Sequence, residues 1–93
     1  MNEKINKNVM FFRALANEER LEIIKLLKKN KEMAAREVEQ HFYLEQSTTS
    51  HHLNTLKRAG ITKSRKAGRN IFYSIDKDTF EKTWNTFSKN TFQ

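Results

Sequence analysis

Apolar residues recur at helical spacing through the first third of the chain. Ile5, Val9, Phe12 and Leu15 or Ala16 fall three to four positions apart, which predicts an amphipathic first helix over residues 3 to 16. Asn17 then offers a side-chain oxygen to cap a second helix, with Glu18 and Glu19 in the first turn, where negative charge suits the helix dipole. Leu21, Ile23, Ile24, Leu26 and Leu27 give that helix a broad apolar face, and Lys28, Lys29, Asn30 and Lys31 suit its C-terminus and turn. Met33 to Phe42 reads as a short third helix with Ala34, Val38 and Phe42 four apart on one stripe, and Tyr43 and Leu44 as a tight connection.

The fourth helix, expected over Gln46 to Ala59, has two contrasting faces. Leu53 and Leu56, extended by Thr49 and Ala59, point one way; Ser47, Ser50, His51 and Asn54 fall at i, i+3, i+4 and i+7 on another. Exposed helix faces are usually filled with better helix formers, because Ser, Thr and Asn compete with the backbone for hydrogen bonds. A short, polar, uncharged face of this kind lets a helix sink into a major groove, its hydroxyls and imidazole exchanging hydrogen bonds with base edges and phosphates. Gln46 near the helix start can reach adenine or a phosphate, and Lys57 and Arg58 in the last turn can neutralise backbone charge. The plainer reading is that the Ser/Thr run only caps and frays the helix start.

Gly60 suits the left-handed residue that ends a helix. After it, Ile61 to Lys66 and Asn70 to Ile75 are β-prone runs separated by Ala67, Gly68 and Arg69, with Ile71, Tyr73 and Ile75 alternating and Gly68 supplying the positive φ of the turn. Asp76 and Asp78 can cap a last helix toward Phe92, with Phe80, Trp84 and Phe87 on one stripe. Aromatics this large at the end of so small a chain call for a partner surface, for which Ile5, Val9 and Phe12 of the first helix are suited. The favoured reading is a dimer interface; the alternative is packing of the same stripe on the chain's own core.

Charge sharpens this reading. The 93 residues carry a formal net charge of +7, and residues 46–75 contain Lys57, Arg58, Lys63, Arg65, Lys66 and Arg69 with no Asp or Glu. Residues 1–45 hold nine Lys/Arg against eight Asp/Glu, and residues 76–93 three against three, so one segment supplies six of the seven net charges. A helix followed by a basic hairpin, with cations so clustered, is what a nucleic-acid surface needs; a merely solvated basic surface is the rival on charge alone. With 37% hydrophobic residues, two Gly and no Pro, the chain is a single mainly helical domain over residues 1–93. No apolar run is long enough to span a membrane and no signal-peptide core follows the N-terminus, so a cytoplasmic protein is expected. The absence of Cys excludes disulfides, thiolate metal sites and cysteine nucleophiles.

Three blocks together resemble the ArsR/SmtB family of bacterial winged-helix repressors, over about Phe11 to Ile75. Ala14 through Ile24 (ALANEERLEII) looks like the family's second-helix opening, Gln46 through Leu53 (QSTTSHHL) like its recognition-helix signature, and Arg65 through Tyr73 (RKAGRNIFY) like its wing. The resemblance implies a winged helix-turn-helix of about five helices and a two-stranded wing. It further implies a homodimer joined through its first and last helices, with paired recognition helices in successive major grooves of an imperfect palindrome. By position, Gln46, Ser47, Ser50 and His51 would contact the groove, and Arg65, Lys66 and Arg69 the DNA backbone or minor groove. Glu18 stands where many members have Pro, and Glu45 where many have Ser; Glu45 near a phosphate would reduce affinity.

Many relatives sense metals through a cysteine motif on the third helix, but here Ala34 and Arg36 stand where the thiols would sit. Another family site uses Asp and His on the last helix, which has no His here. Glu37 and His41, at i and i+4, are two ligands and not a site; His51 and His52 diverge by about 100° around the helix, and His52 is suited to a hydrogen bond within the fold. No metal site, cofactor or catalytic set is assigned: the glycines sit at a helix end and a turn, and Ser50 and His51 do not face each other. The inducer is unreadable. The sequence therefore predicts a homodimeric, DNA-binding transcriptional repressor. Its rivals are a protein-interaction module with a basic wing and a metal sensor using only His and carboxylate ligands.

Overall fold

The computed structural model describes residues 3–93, with side chains from position 7 onward. The elements follow in the order α1 (Glu3–Leu15), α2 (Glu18–Asn30), β1 (Met33–Ala34), α3 (Ala35–Phe42), α4 (Gln46–Arg58), β2 (Thr62–Ala67), β3 (Asn70–Ile75) and α5 (Lys77–Phe92). The side chain of Ile5, assigned above to a dimer interface, lies outside the described residues. Among them no helix is long and apolar enough to cross a membrane.

Two of the helix starts are fixed by the residues expected to cap them. The Asn17 side chain accepts from the Arg20 N–H at 3.0 Å, and the Asp76 side chain accepts from the Thr79 N–H at 3.2 Å. The core is assembled from the inward stripes of every helix except α5: Phe11 and Ala14 of α1, Ile23 and Leu27 of α2, Val38 of α3, Leu53 and Leu56 of α4, joined by Ile61, are all fully buried. Burying each large aliphatic side chain contributes roughly 1.5–3 kcal/mol, so these contacts hold the helices in place around α4.

The third helix begins later than the apolar spacing predicts. Met33 and Ala34 are a two-residue strand paired antiparallel to β3, opposite Tyr73 and Phe72, so the sheet has three strands in the order β1, β3, β2. The Glu37 carboxylate accepts from the Ala34 N–H at 2.9 Å, which caps α3 at that residue and leaves the two preceding positions free to extend. The hairpin is also tighter than expected. Ala67 pairs with Asn70, so only Gly68 and Arg69 form the turn; Gly68 has φ +61° and Arg69 is not left-handed, the pattern of a type II′ turn. Ile61, expected as the first strand residue, instead fills the core ahead of β2.

At the end of α4 the chain reverses through Gly60, whose φ is +76°. The Ile61 N–H donates to the Leu56 carbonyl at 3.0 Å and the Gly60 N–H to that of Lys57 at 3.0 Å, satisfying carbonyls the helix leaves free. This turn carries the chain directly from α4 into the hairpin. A side chain at position 60 would also meet Thr79, whose Cγ2 lies 2.8 Å from where a Cβ would stand.

Candidate nucleic-acid interface

The two faces of α4 separate as the sequence implied. Thr49, His52, Leu53 and Leu56 are buried, whereas Gln46, Ser47, Ser50, His51 and Asn54 are all exposed, with Lys57 and Arg58 beyond them. At about 100° per residue, Ser47, Ser50, His51 and Asn54 lie within one arc opposite the buried stripe, and Arg58 extends it. His51, Asn54, Lys57 and Arg58 line a shallow depression on this surface. The first turn of α4 carries no acidic residue, and Glu45 before it makes no side-chain cap, so no carboxylate among the described residues holds the N–H groups at the positive end of the helix dipole.

His52 does bond within the fold, with partners that sequence spacing could not supply. Its Nδ1 accepts from Arg20 Nη1 at 3.1 Å, and its Nε2 faces Glu19 Oε2 at 2.6 Å. Arginine has only donors, so Nδ1 must be the acceptor and the Nε2–H donates to Glu19. The same guanidinium donates to the Ala14 carbonyl at 2.8 Å and to the Arg13 carbonyl at 3.0 Å. Arg20 therefore ties the end of α1 and the start of α2 to the inner side of α4, fixing the rotation at which α4 presents its polar face. Glu19 and His52 are 33 positions apart, and nothing in a local pattern joins them.

The hairpin carries Lys63, Arg65, Lys66 and Arg69, all exposed. Three of these have no ion-pair partner among the described residues, but Arg65 does: its Nε and Nη2 donate to Glu32 at 2.8 and 2.7 Å. Its Cζ also lies 4.7 Å from the centre of the Phe72 ring. The charge count that included Arg65 could not show that Glu32, in the turn after α2, already occupies its fork. In this structure Arg65 braces the hairpin against the α2–β1 turn, while Lys63, Lys66 and Arg69 present free cations.

The Glu32 carboxyl sits below its ordinary range, first because Arg65 hydrogen-bonds its charged form and further through the attraction between their charges. A carboxylate depressed in the folded state stabilises above its unfolded value and ceases to do so as pH falls through the folded one. The thermal midpoint of wild type should therefore exceed that of Glu32→Gln at neutral pH, and the gap should close as pH falls below the carboxylate range. Parallel melts of the two proteins across pH check this; no gap at neutral pH would show that the pair does not contribute, and a gap that persists at low pH would show that the carboxylate charge is not its source.

The aromatic stripe of α5 divides between two uses. Phe80 packs on Phe11 at 5.0 Å between ring centres, and Phe87 meets Phe12 edge-on at 4.7 Å, so both serve the chain's own packing and are half-buried. Trp84, 6.1 Å from Phe87, is 44% exposed, and Val9 and Met10 of α1 and Phe92 of α5 are exposed as well. The described residues contain no group of three or more His, Asp or Glu placed to hold a metal ion.

Comparisons with known proteins fit this geometry. The family described as bacterial regulatory protein, arsR family, matches residues 17–64, from the cap of α2 to the middle of β2. An uncharacterised HTH-type transcriptional regulator of Methanocaldococcus jannaschii is 43% identical over 75 residues, covering 80% of this chain and 84% of that protein. The transcriptional activator HlyU of Vibrio cholerae is 36% identical over 75 residues, covering 81% of this chain and 68% of its own. The solved structure of HlyU superposes with a TM-score of 0.71 at 29% identity over the whole of both chains. A homodimeric winged helix-turn-helix DNA-binding domain of Mycobacterium bovis shares the fold, with a TM-score of 0.74 at 24% identity, covering 96% of this chain and 84% of its own.

Proposed function

The chain belongs to the arsR family of bacterial regulatory proteins and is a winged helix-turn-helix transcriptional regulator, and we propose that it is a homodimeric repressor that occupies an imperfect palindrome in promoter DNA. The observation that carries this reading is the exposed Ser47, Ser50, His51 and Asn54 face of α4, which is free of carboxylates and is followed by the cations Lys63, Lys66 and Arg69, none with an ion-pair partner among the described residues. In the bound state α4 lies in the major groove, where Gln46, Ser47, Ser50, His51 and Asn54 read base edges. Lys57, Lys66 and Arg69 neutralise phosphates, and Arg65, joined to Glu32, sets the angle of the wing.

Dimerisation through α1 and α5 places two such helices on successive grooves. The exposed apolar side chains Val9 and Trp84 support it, as does the homodimeric assembly given for the Mycobacterium bovis domain. Promoter occupancy alone suffices to repress by exclusion, whereas activation requires a further contact with the transcription machinery. Thiolate sensing is closed to a chain without Cys. The regulator acts where the DNA is, in the cytoplasm.

The test is selection of bound duplexes from a random pool at physiological salt. The winners should share an inverted repeat whose half-sites lie about one helical turn apart. A reporter placed behind that sequence should fall when the protein is expressed. Winners without a common repeat would remove the specific-binding reading in favour of a basic interaction module, and a rising reporter would replace repression with activation, the direction named for HlyU.

A further inference from the structure

Tyr43 stands out in the turn between α3 and α4. It adopts φ 55°, ψ 35°, a left-handed conformation that every residue with a Cβ disfavours and that glycine normally occupies at a helix end. Its ring contributes nothing visible to folding: the residue is 95% exposed, the most of any large apolar residue described, and the side chain has no hydrogen-bond partner among the described residues. The backbone, in contrast, is held. The Tyr43 N–H donates to the Glu39 carbonyl, and so does the Leu44 N–H at 3.1 Å, while Phe42 on one side packs against the core. A strained backbone carrying a fully solvated phenol is a cost without a structural return, and such outliers gather where a side chain is needed for function.

Its position suggests which function. Tyr43 precedes Gln46, the first residue of α4, by three positions, so it lies within about 10 Å of the start of that helix. Arg36 and Gln40, four apart and both exposed, lead along α3 toward the same turn, giving a line of donors ahead of it. We propose that the Tyr43 hydroxyl donates a hydrogen bond to a DNA phosphate bordering the groove that α4 enters, fixing how far the helix slides into it. Tyrosine is among the side chains that make such backbone contacts, and a neutral donor suits a turn flanked by Glu39 and Glu45, where a bare cation would be drawn to protein carboxylates. This inference rests on the DNA-binding reading above, but on duplex binding rather than on sequence preference.

Two variants test it, each measured on the selected repeat and on a random duplex across a salt series. Tyr43→Gly relieves the strain, so it should melt at or above the wild-type temperature while binding both duplexes more weakly by about tenfold or more per subunit, the loss expected for a hydrogen bond to a charged acceptor. Tyr43→Phe keeps the ring and the strain, so it should lose the same affinity without a change in melting temperature. Because no cation is removed, neither variant should alter the salt slope, and because a phosphate is sequence-blind, the ratio between the two duplexes should hold. If Tyr43→Phe binds both duplexes like wild type, the hydroxyl contact is absent and the proposal falls. A loss confined to the selected repeat would make the residue a base contact and overturn it equally. Should wild type show no sequence preference yet lose affinity on Tyr43→Phe, the repressor reading fails and this contact survives; no binding to any duplex sinks both.

Discussion

Replacing Ser50 and His51 together with alanine should cut the preference for the operator over random duplex by about 1–3 kcal/mol for each base-edge hydrogen bond removed, roughly ten- to hundredfold per residue. Both side chains are exposed and neither supports the core, so the loss is expected in a protein that folds as before. The helix should even gain slightly, since alanine has the higher helix propensity. The comparison that gives the experiment its force is Arg69→Ala at the tip of the hairpin. Arg69 has no ion-pair partner among the described residues, so it is free to face phosphate, and its removal should weaken both duplexes alike and reduce the salt slope by about one per subunit. Titrations of both variants on both duplexes at several salt concentrations decide the matter. If the helix and wing variants lose affinity in the same proportion on every sequence, the division of labour between base reading and charge neutralisation is wrong.

The contrast between those residues also marks how far the sequence could be read. Features set by neighbours within one turn were legible: Asn17 and Asp76 cap the helices they were expected to cap, Gly60 and Gly68 take the positive φ their turns need, and α4 turns its Ser/His/Asn side to solvent. What periodicity could not express is pairing across distance. Glu32 and Arg65 are 33 positions apart, as are Glu19 and His52; the first pair redirects Arg65, and the second supplies the in-fold partner expected for His52 but not identifiable from spacing. The charge pattern presents Arg65 as a free cation, whereas Glu32 holds it. Strand β1 was hidden for a different reason: two residues are too few to show an alternation, and the apolar spacing of Met33 and Ala34 fits the helix that follows.

The long-range contacts explain how a small chain can aim a recognition helix. Arg20 collects the last carbonyls of α1 and the imidazole of His52 on one guanidinium, and the apolar side of α4 is closed by Leu53 and Leu56. Rotation of α4 about its axis would break the first set and expose the second. The wing is aimed separately, by Glu32 through Arg65, and joins α4 through the short turn at Gly60. Helix and wing are therefore oriented by different contacts, which is why substitutions in one should leave the geometry of the other unchanged.

Trp84→Ala should have the largest effect on operator occupancy of any single exposed substitution. Phe80 and Phe87 are engaged with Phe11 and Phe12, so they anchor α5 to its own chain, whereas Trp84 offers a large half-exposed ring and Val9 of α1 is exposed too. A tryptophan at the centre of a small interface commonly accounts for about 2 kcal/mol or more, so self-association should weaken about thirtyfold or further. Binding to DNA amplifies this. Two linked half-sites bind about 10²–10⁴ times more tightly than one through effective concentration alone, and a monomer forfeits that factor on the full palindrome while keeping its affinity for an isolated half-site. Sedimentation of the free protein, with titrations of full-site and half-site duplexes, separates these effects. Loss on the full site alone, in a variant that still folds but melts somewhat lower because the dimer no longer supports it, is the expected result. A variant that remains dimeric, or a wild type that is already monomeric at micromolar concentration, would return Trp84 to the ordinary surface of the chain and leave the pairing of α1 with α5 a purely internal matter.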